Sequence, residues 1–539
     1  MAKYAYTPFD YVCAPGLDGP EPRWPVAIVG AGPIGLALAI DLALQGIRSV
    51  VLDDNNVVSV GSRAICWAKR TLEIFDRLGV GERMLAKGVT WQVGQLFHGD
   101  EEVYSFDLLP ESGHKYPAFI NLQQYYVEQY LVERARDFPD LIDLRFKNKV
   151  VDHADNGDHV VLTIETPDGA YTLEAEYYHA CDGAGSPTRK RMNLPFEGQT
   201  FEEHFLIVDV EMEDSPFETE TPERWFWFEP TFHPGQSALL HKQPDNIYRI
   251  DLQLGPETDP TVEATEEKVF PRIKAIVGEK PFELDWMSVY KFRCAKLDQF
   301  VHNRIIFVGD SAHVVSPFGA RGGNGGIQDV DNLGWKLAAV LKGEASDALI
   351  DTYQEERSHG AAENILNSSR ATNFMTPKSP IEHAFRNEVL KLAKTMPFAR
   401  KLINSGRLSV PCALTHCTLQ TEGPAPLASG TALQDAPLED GSWLIERLQG
   451  RFMLVGFGDL VLPEVEGLVR IGIGGVSEDY PCYAPSGPEA EERYGHGDCY
   501  LIRPDGHIAA SFYDPDAEKV AMAYAQASSL THMQEMTDV

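Results

Sequence analysis

A glycine-rich turn near the start of the chain is the first group of residues with recognisable chemistry, and its expected binding residues are Gly30, Gly32, Pro33, Ile34 and Gly35. Glycines at this spacing let the backbone approach a pyrophosphate, and the free N–H groups of a following helix favour the phosphate charge. Asp53 lies about 20 residues further on, where an acid accepts hydrogen bonds from ribose hydroxyls. The pattern predicts a bound dinucleotide without distinguishing FAD from NAD.

Two later groups favour a flavin. Asp182 and Gly183 begin the first of them, and Arg189 follows. The second is Gly309-Asp310 after an apolar run, followed by a glycine-rich loop that leads into a helical pattern over 327–342. An acid at the end of a parallel strand suits the ribityl hydroxyls of a flavin, and a helix N-terminus suits the negative charge of the reduced ring. The alternative, a flexible surface loop, leaves the neighbouring acid and helix unexplained.

Histidines and arginines of the middle region are candidates for chemistry on a substrate. His241 and His233 could transfer a proton, although a lone histidine is more often structural. Arg293 or Arg249 could hold a carboxylate through two parallel hydrogen bonds. The alternative for each arginine is a solvated charge that pairs across neighbouring strands.

Hydrophobic patterning predicts the elements that position these residues. Apolar runs over 26–29 and 49–52 indicate parallel strands on either side of a helix over 36–44, and residues 201–294 alternate like a β-sheet. We predict an α/β fold in which a Rossmann-like FAD-binding domain is interleaved with a β-sheet substrate domain. The predicted units are an N-terminal arm (1–24), the FAD-binding domain (25–90, 118–200 and 295–370), the substrate-binding domain (91–117 and 201–294), a helical connector (371–427) and a C-terminal domain (428–539).

The composition is that of a large globular protein, which we expect in the cytoplasm. The 539 residues are 43% hydrophobic and 24% charged, and the net charge is −33. This charge argues against nucleic acid and anionic membranes as partners. The eight cysteines form no Cys-x-x-Cys and no zinc-binding spacing, so we expect reduced thiols and no metal.

Longer motifs link the chain to a known family. They are Gly-Ala-Gly-Pro-Ile-Gly at 30–35, Ala-Cys-Asp-Gly-Ala-Gly-Ser at 180–186, Asn-Leu-Pro-Phe-Glu-Gly at 193–198, Val-Gly-Asp-Ser-Ala-His at 308–313 and Leu-Ile-Asp-Thr-Tyr-Gln-Glu-Glu-Arg at 349–357. With these motifs the chain resembles the class A flavoprotein aromatic hydroxylases, the p-hydroxybenzoate hydroxylase superfamily, over most of residues 25–530. It is most similar to the branch of 3-(3-hydroxyphenyl)propionate hydroxylase and phenol hydroxylase.

The resemblance implies an FAD site. Besides the glycine turn and Asp53, the matching residues are Asp54, Ser62, Arg63, Gln124, Asp182, Gly183, Arg189, Gly309, Asp310, Pro317, Gly319, Gly322, Gly323 and Asn324. Arg70 matches a recurrent helix position, with an exposed helix cation as the alternative. Ile65 departs from the pattern, because phenol hydroxylases carry an acid there, which puts in doubt a mechanism that uses such an acid as the base.

The resemblance also implies a thioredoxin-like fold for residues 428–539. Since this segment lacks a Cys-x-x-Cys motif, we expect no redox role there. Structural support or dimerisation is the expected role, and we predict a homodimer.

The implied reaction is hydroxylation of a phenol. NAD(P)H reduces FAD, O2 forms a flavin C4a-hydroperoxide, and the distal oxygen adds to the ring of a phenolic acid such as a hydroxyphenylpropionate or hydroxybenzoate. Tyr290 stands where relatives hold a substrate-facing tyrosine, so it is the first catalytic candidate, with Arg293 and His241 as further ones. The alternative for Tyr290 is a packed strand aromatic. A halogenase, a dehydrogenase or a non-catalytic FAD-binding protein remain alternative functions.

Overall fold

The computed structural model describes residues 4–61, 63–255, 258–403, 410–448 and 450–529, without the side chains of 201–203. Over residues 4–200 the strands are β1 (Trp24–Val29), β2 (Ser49–Asp53), β3 (Cys66–Ala68), β4 (Val89–Trp91), β5 (Val93–His98), β6 (Glu101–Asp107), β7 (Phe119–Asn121), β8 (Ile142–Phe146), β9 (Lys149–Asp155), β10 (Val160–Thr166) and β11 (Gly169–Ala180). The later strands are β12 (Glu197–Glu211), β13 (Arg224–Phe228), β14 (Ser237–Lys242), β15 (Ile247–Leu254), β16 (Glu283–Lys296), β17 (Val301–His302), β18 (Ile305–Phe307), β19 (His313–Val314), β20 (Met453–Phe457), β21 (Val469–Ile473), β22 (Cys482–Tyr483), β23 (Cys499–Ile502) and β24 (Ile508–Phe512).

The helices connect and cover these strands. They are α1 (Pro33–Leu44), α2 (Lys69–Arg77), α3 (Gly81–Lys87), α4 (Gln124–Ala135), α5 (Pro187–Arg191), α6 (Pro260–Glu263), α7 (Glu266–Val277), α8 (Gly322–Leu341), α9 (Ala348–Met375), α10 (Pro380–Ala393), α11 (Pro397–Leu402), α12 (Leu444–Arg447), α13 (Glu489–Tyr494) and α14 (Ala517–Ser528). Among the described helices, none is both long enough and apolar enough to cross a bilayer.

The first sheet carries the nucleotide-binding motifs at one edge. Its central order is β17-β18-β11-β1-β2-β8, and β18, β11, β1, β2 and β8 run parallel to one another. The apolar residues of β1 and α1 are buried together in the largest core cluster. The strand, helix and strand predicted over 26–52 are therefore confirmed. Because parallel strands end at one edge, the motifs that follow β1, β11 and β18 meet there.

The second sheet lies over this edge. Its order is β19-β16-β12-β15-β14-β13-β5-β6, and all its pairs are antiparallel except β13 with β5. Strands β5 and β6 end about ninety residues before β12 begins, so the sheet is assembled from distant parts of the chain. One face packs on α7 through an apolar cluster, which leaves the other face for the site described below.

The last part of the chain forms a separate five-stranded sheet in the order β22-β21-β20-β23-β24. Its strands pair both parallel and antiparallel, and an apolar cluster of its own packs against them. The likeness of this unit to thioredoxin stays a prediction. All eight cysteines are free thiols, as expected.

Arg70 is not an exposed helix cation. Its side chain is buried, with its Nη2 atom 2.9 Å from Asp331 Oδ2 and an ion pair to Glu73. It also donates to the carbonyl of Asp505, in the C-terminal unit. The exposed alternative is wrong because this face of α2 is covered by α8 and by the turn before β24.

Candidate active site

The glycine turn between β1 and α1 has the geometry of a phosphate-binding turn. Gly30 has a φ of 107°, and a Cβ atom there would lie 2.4 Å from the carbonyl oxygen of Cys181. A Cβ atom on Gly35 would lie 2.0 Å from the carbonyl oxygen of Gly30, whereas one on Gly32 would meet nothing within 4 Å. Gly30 and Gly35 are therefore required by packing. Gly32, just before Pro33 and Ile34 of α1, leaves the backbone open to a ligand.

Asp53 holds this turn in place from the end of β2. Its Oδ2 accepts a hydrogen bond from the Ala31 N–H at 2.6 Å, and its Oδ1 accepts one from the Asn55 N–H at 2.8 Å. The neighbouring Asp54 is exposed. Asp53 is thus placed at the edge of the sheet where the prediction requires it, and its contacts within the chain are to the backbone.

The second motif lies beside this turn, after β11. Asp182 Oδ2 accepts from the Thr188 N–H at 3.0 Å, while its Oδ1 is buried without a hydrogen-bond partner among the described residues. Gly183 has a φ of 76° and nothing within 4 Å of a Cβ position. Arg189 donates to the carbonyls of Ser311 at 2.7 Å and Ala184 at 2.6 Å. Arg189 therefore ties the second motif to the third.

The third motif is anchored by Asp329, a residue of α8 that ends the Asn324–Asp329 stretch of the family resemblance and to which the sequence analysis assigned no role. Its Oδ2 accepts from the Gly309 N–H at 3.0 Å and lies 2.7 Å from His313 Nε2, and its Oδ1 lies 2.7 Å from Arg357 Nε. Burial alone would raise the pKa of Asp329, but the charges of His313 and Arg357 hold it below its ordinary value. With the turn fixed in this way, Asp310 is exposed at the edge of the sheet.

The glycine-rich loop runs from Pro317 through Gly319, which has a φ of 101°, into the first turn of α8. The helix begins at Gly322, five residues before the predicted start, so Gly322 and Gly323 belong to it. Asn324 accepts from the Ala68 N–H at 2.9 Å and donates to the Cys66 carbonyl at 2.9 Å. These bonds join the helix N-terminus to β3.

Arg63 and Gln124 lie on the side opposite this loop. Gln124 accepts from the Ala64 N–H at 3.2 Å and donates to Ser59 Oγ at 3.1 Å. Arg63 is exposed and its carbonyl accepts from Arg249 Nη1 at 3.2 Å. The predicted Ser62 lies outside the described residues. Close packing and hydrogen bonds therefore join the motifs in sequence: the glycine turn contacts the second motif, the second contacts the third, and the glycine-rich loop contacts β3.

A cavity of about 260 Å³ lies between the glycine-rich loop, the segment after Arg63 and the open face of the second sheet. Its apolar walls include Ile65, Phe205, Leu239, Phe292 and Phe318. Strand pairing explains which residues line it: in an antiparallel sheet, residues directly opposite each other share a face. The paired residues Arg224 with His241 and Leu239 with Asp251 all point to this side.

His241 and Asp251 form a buried pair in the cavity wall. His241 Nε2 lies 3.2 Å from Asp251 Oδ2, and His241 Nδ1 has no hydrogen-bond partner among the described residues. Burial, and next the charge of Arg224, lower the pKa of His241 to about 4. The imidazole is therefore neutral at neutral pH. Because the carboxylate can only accept, Nε2 carries the proton and Nδ1 presents a lone pair.

Arg224 is a cavity residue that the sequence analysis missed. It is 5% exposed, its Nη1 lies 3.5 Å from Cys66 Sγ, and its Nε is buried without a hydrogen-bond partner among the described residues. A buried guanidinium N–H without a partner is costly, so the geometry favours a ligand atom there. The available signal was the alternation along β13, because Arg224 and Phe226 lie on one face of the strand and Trp225 lies on the other.

The other arginine candidates are not available to a ligand in the same way. Arg249 is buried and holds Asp209 with two hydrogen bonds of 2.8 and 2.9 Å, so its planar fork is already occupied. Arg249 forms a cross-strand ion pair with Asp209, as the alternative predicted, but the pair is buried and not solvated. Arg293 is exposed on the opposite face of β16, where it donates to the Phe196 carbonyl. The structure does not bring Arg293 to the cavity.

Tyr290 and His233 lie outside the cavity wall. Tyr290 is half-buried on the same sheet face as Phe205, its partner across β12, and its ring centre is 6.2 Å from that of Trp286. His233 is buried, and its Nε2 contacts the Gln253 carbonyl at 2.5 Å. Of the three catalytic candidates, His241 is the one that lines the cavity.

Comparison with known proteins gives consistent matches. The sequence model of a family described as "FAD binding domain" matches residues 23–368. A flavin-dependent monooxygenase of Mycobacteroides abscessus is 30% identical over 90% of this chain and 96% of its own length. A 3-(3-hydroxy-phenyl)propionate/3-hydroxycinnamic acid hydroxylase of Klebsiella pneumoniae subsp. pneumoniae is 28% identical over 80% of this chain and 78% of its own. The crystal structure of the flavin-dependent monooxygenase PieE with FAD and substrate has a TM-score of 0.79 at 20% identity, covering 95% of this chain and 100% of that one, a likeness of fold.

Proposed function

Because the chain belongs to the FAD-binding family of class A flavin monooxygenases, as its motifs predicted, we propose that it hydroxylates a phenolic ring with FAD, NAD(P)H and O2. The observation that carries this proposal is the His241–Asp251 pair in the cavity that adjoins the glycine-rich loop. A neutral histidine oriented by a carboxylate can accept the proton of a phenol.

The residues of these motifs fit FAD. The turn at Gly32 and the residue Gly183 leave backbone open where a ligand can approach. Asp182 offers a buried, unpaired Oδ1 that a hydroxyl or an N–H of a ligand could satisfy. We propose that these residues, with Asp53 and Asp310, hold the nucleotide and ribityl parts, and that the N-terminus of α8 lies against the ring. When bound and reduced by NAD(P)H, FAD supplies the activated oxygen.

The cavity would hold the phenol against this ring. Its apolar walls would shield part of the substrate from water. The phenol hydroxyl would donate to His241 Nδ1, which takes the proton while Nε2–H remains bonded to Asp251. Loss of this proton makes the ring carbons next to and opposite the oxygen more electron-rich, which favours attack by an electrophilic oxygen.

Arg224 supports an anionic substrate. Its unpaired Nε–H lies in the same wall as His241 and can donate to a carboxylate of the substrate. We therefore propose a phenolic acid, such as a hydroxyphenylpropionate or a hydroxybenzoate, as the substrate.

The test is oxidation of NADH and NADPH by the FAD-loaded protein in the presence of single phenols: phenylpropionates, hydroxybenzoates, resorcinols and simple phenols. We expect one group to stimulate oxidation and to yield a product heavier by one oxygen atom. Stimulated oxidation that leaves every phenol unoxygenated in the mass spectrum, or no stimulation at all, would contradict the proposal. Such a result would favour one of the alternative functions: a flavin enzyme with other chemistry, such as a halogenase or a dehydrogenase, or a protein that binds FAD without turnover.

We propose that residues 428–539 form a thioredoxin-like domain with a structural role, and that residues 25–90, 118–200 and 295–370 make up the FAD-binding domain. The five-stranded mixed sheet and its separate core support the first statement. The predicted homodimer would be tested by the mass of the FAD-loaded protein in solution, measured by light scattering.

A further inference from the structure

A second, smaller space adjoins the proposed substrate cavity. It has a volume of about 60 Å³ and lies between strands β5, β6 and β13 on one side and the end of α9 on the other. We call it the apolar annex, and its walls include Leu96, Phe106, Phe226, Phe228, Phe374 and Ile403. Arg224 and Phe318 line both the annex and the substrate cavity, so these two side chains form the boundary between the two spaces.

The annex has the chemistry of a site for an apolar group. Apart from Arg224 at the junction, its described lining carries apolar side chains or glycine. A space without polar partners holds water poorly and gains free energy when an apolar group fills it. Its volume equals that of roughly two water molecules at about 30 Å³ each, which is room for about two or three carbon atoms.

We propose that the substrate has two parts: a phenolic ring in the cavity, and a short apolar substituent that passes between Arg224 and Phe318 into the annex. This inference rests on the proposed function, and it adds a requirement on the substrate: beside the carboxylate that Arg224 would bind, the ring would carry a short alkyl group, which a simple hydroxybenzoate lacks. The ring would be fixed by His241 at its hydroxyl and by the annex at its substituent. Two attachment points determine which ring carbon faces the glycine-rich loop, so the annex also sets the position of hydroxylation.

The test uses two series of ligands, 3-alkylphenols and 4-alkylphenols from methyl to pentyl, titrated into the FAD-loaded protein. The dissociation constant is read from the change in visible flavin absorption, without NAD(P)H. We expect it to fall about fourfold per added carbon, the value for burying one methylene group, over the first two or three carbons of one series. Longer chains should gain nothing more or bind more weakly.

Two variants change the size of the annex. Ala371→Leu, on α9, places a larger side chain in it, and we expect at least a tenfold weaker binding of the propyl member with less than twofold change for the methyl member. Phe374→Ala enlarges the annex and should move the best chain length up by about two carbons. Ala362→Leu is the matched control: the same substitution on the same helix, at an exposed position outside the annex.

Flat binding across both series, equal effects of Ala371→Leu on all members, or no binding of any alkylphenol would overturn the inference. The outcome is separable from that of the proposed function, because binding is measured without turnover. A clear optimum in chain length with no oxygenated product would refute hydroxylation and retain the annex. Oxygenated products with flat affinities would refute the annex and retain hydroxylation.

Discussion

At the scale of single residues, His241 is available to accept a proton at neutral pH, because burial and the charge of Arg224 keep its imidazole unprotonated. Its pKa of about 4 means that it is unprotonated through the neutral range. We expect kcat/KM to be independent of this group above about pH 5 and to fall as the pH drops through 4. In His241→Gln the amide can still bond to Asp251 but cannot take a proton, so kcat/KM should fall about 10²–10⁴-fold.

The measurement is the pH profile of kcat/KM for the variant and the wild type, with FAD content determined for both. The acid limb near pH 4 should be absent in His241→Gln. If the limb persists and the rate is unchanged, the base lies elsewhere. Tyr290, on the same sheet face, would then be the next residue to replace.

The same histidine also links stability to pH. Its folded-state pKa lies below the value of about 6.5 for an unfolded chain, so the unfolded state binds the proton more strongly. The contribution of unprotonated His241 to the free energy of unfolding is fully present above about pH 6.5 and is lost as the pH falls toward 4. Part of the acid sensitivity of the wild type should therefore be missing from His241→Gln.

Arg224 provides a second test at this scale. Arg224→Met keeps the apolar stem and removes the N–H groups, so a phenolic acid should lose about 2 kcal/mol of binding or more, which is roughly thirtyfold in affinity. A neutral phenol should be affected much less. Steady-state KM values for matched acidic and neutral phenols measure this difference. Arg451→Met, at an exposed position in the C-terminal unit, is the control, and equal losses for both phenols would assign Arg224 a purely structural role.

At the scale of elements, the sequence predicted local structure well and the assembly of the cavity poorly. The turn, helix and acid of the first motif follow one another within the chain, and local patterning determines them. The cavity, in contrast, depends on strand order and register. Cys66 and Arg224 are 158 residues apart and meet only because β3 lies under the second sheet. Alternation along β13 indicates two faces, but it does not say which face is open.

The early start of α8 is explained by close packing. A Cβ atom on Gly326 would lie 2.6 Å from Ile34 Cδ1, so a larger residue there would require the end of the Ile34 side chain to move from the first turn of α1. Helix propensity would place the start after these glycines, but the packing of α8 on α1 outweighs it. Asn324 then holds the first turn to β3.

Gly326→Ala tests this packing. The added methyl group must displace Ile34, and overpacking of this kind costs about 1–3 kcal/mol. We expect a lower melting temperature of the apoprotein and weaker FAD binding, measured by thermal unfolding and by flavin fluorescence. In Gly322→Ala the nearest atom would be 3.7 Å away, an ordinary contact, so the apoprotein should melt near the wild-type temperature. Equal melting temperatures for both variants would show that α8 can shift without cost.

At the scale of the whole molecule, a buried ionic network joins the C-terminal unit to the rest. Glu356 of α9 lies 2.7 Å from Lys336 Nζ and accepts two hydrogen bonds from Arg503, which also pairs with Asp505. Burial would raise the pKa of Glu356, but the charges of Arg503 and Lys336 hold it well below the ordinary value. Sequence patterns could not predict this network, because Glu356 and Arg503 are 147 residues apart.

Glu356→Ala should therefore destabilise the protein strongly. It leaves two cations, Lys336 and Arg503, buried beside each other without their shared carboxylate, and breaking a buried pair in this way costs about 3–5 kcal/mol. The shift of the urea unfolding midpoint, followed by tryptophan fluorescence, measures the loss. Glu355→Ala is the matched control, because Glu355 is exposed and, among the described residues, accepts a hydrogen bond from the Thr418 N–H alone, so its removal should cost far less. Equal midpoints for the two variants would mean that the apolar contacts between the units, such as Trp335 with Phe452, carry their association without the network.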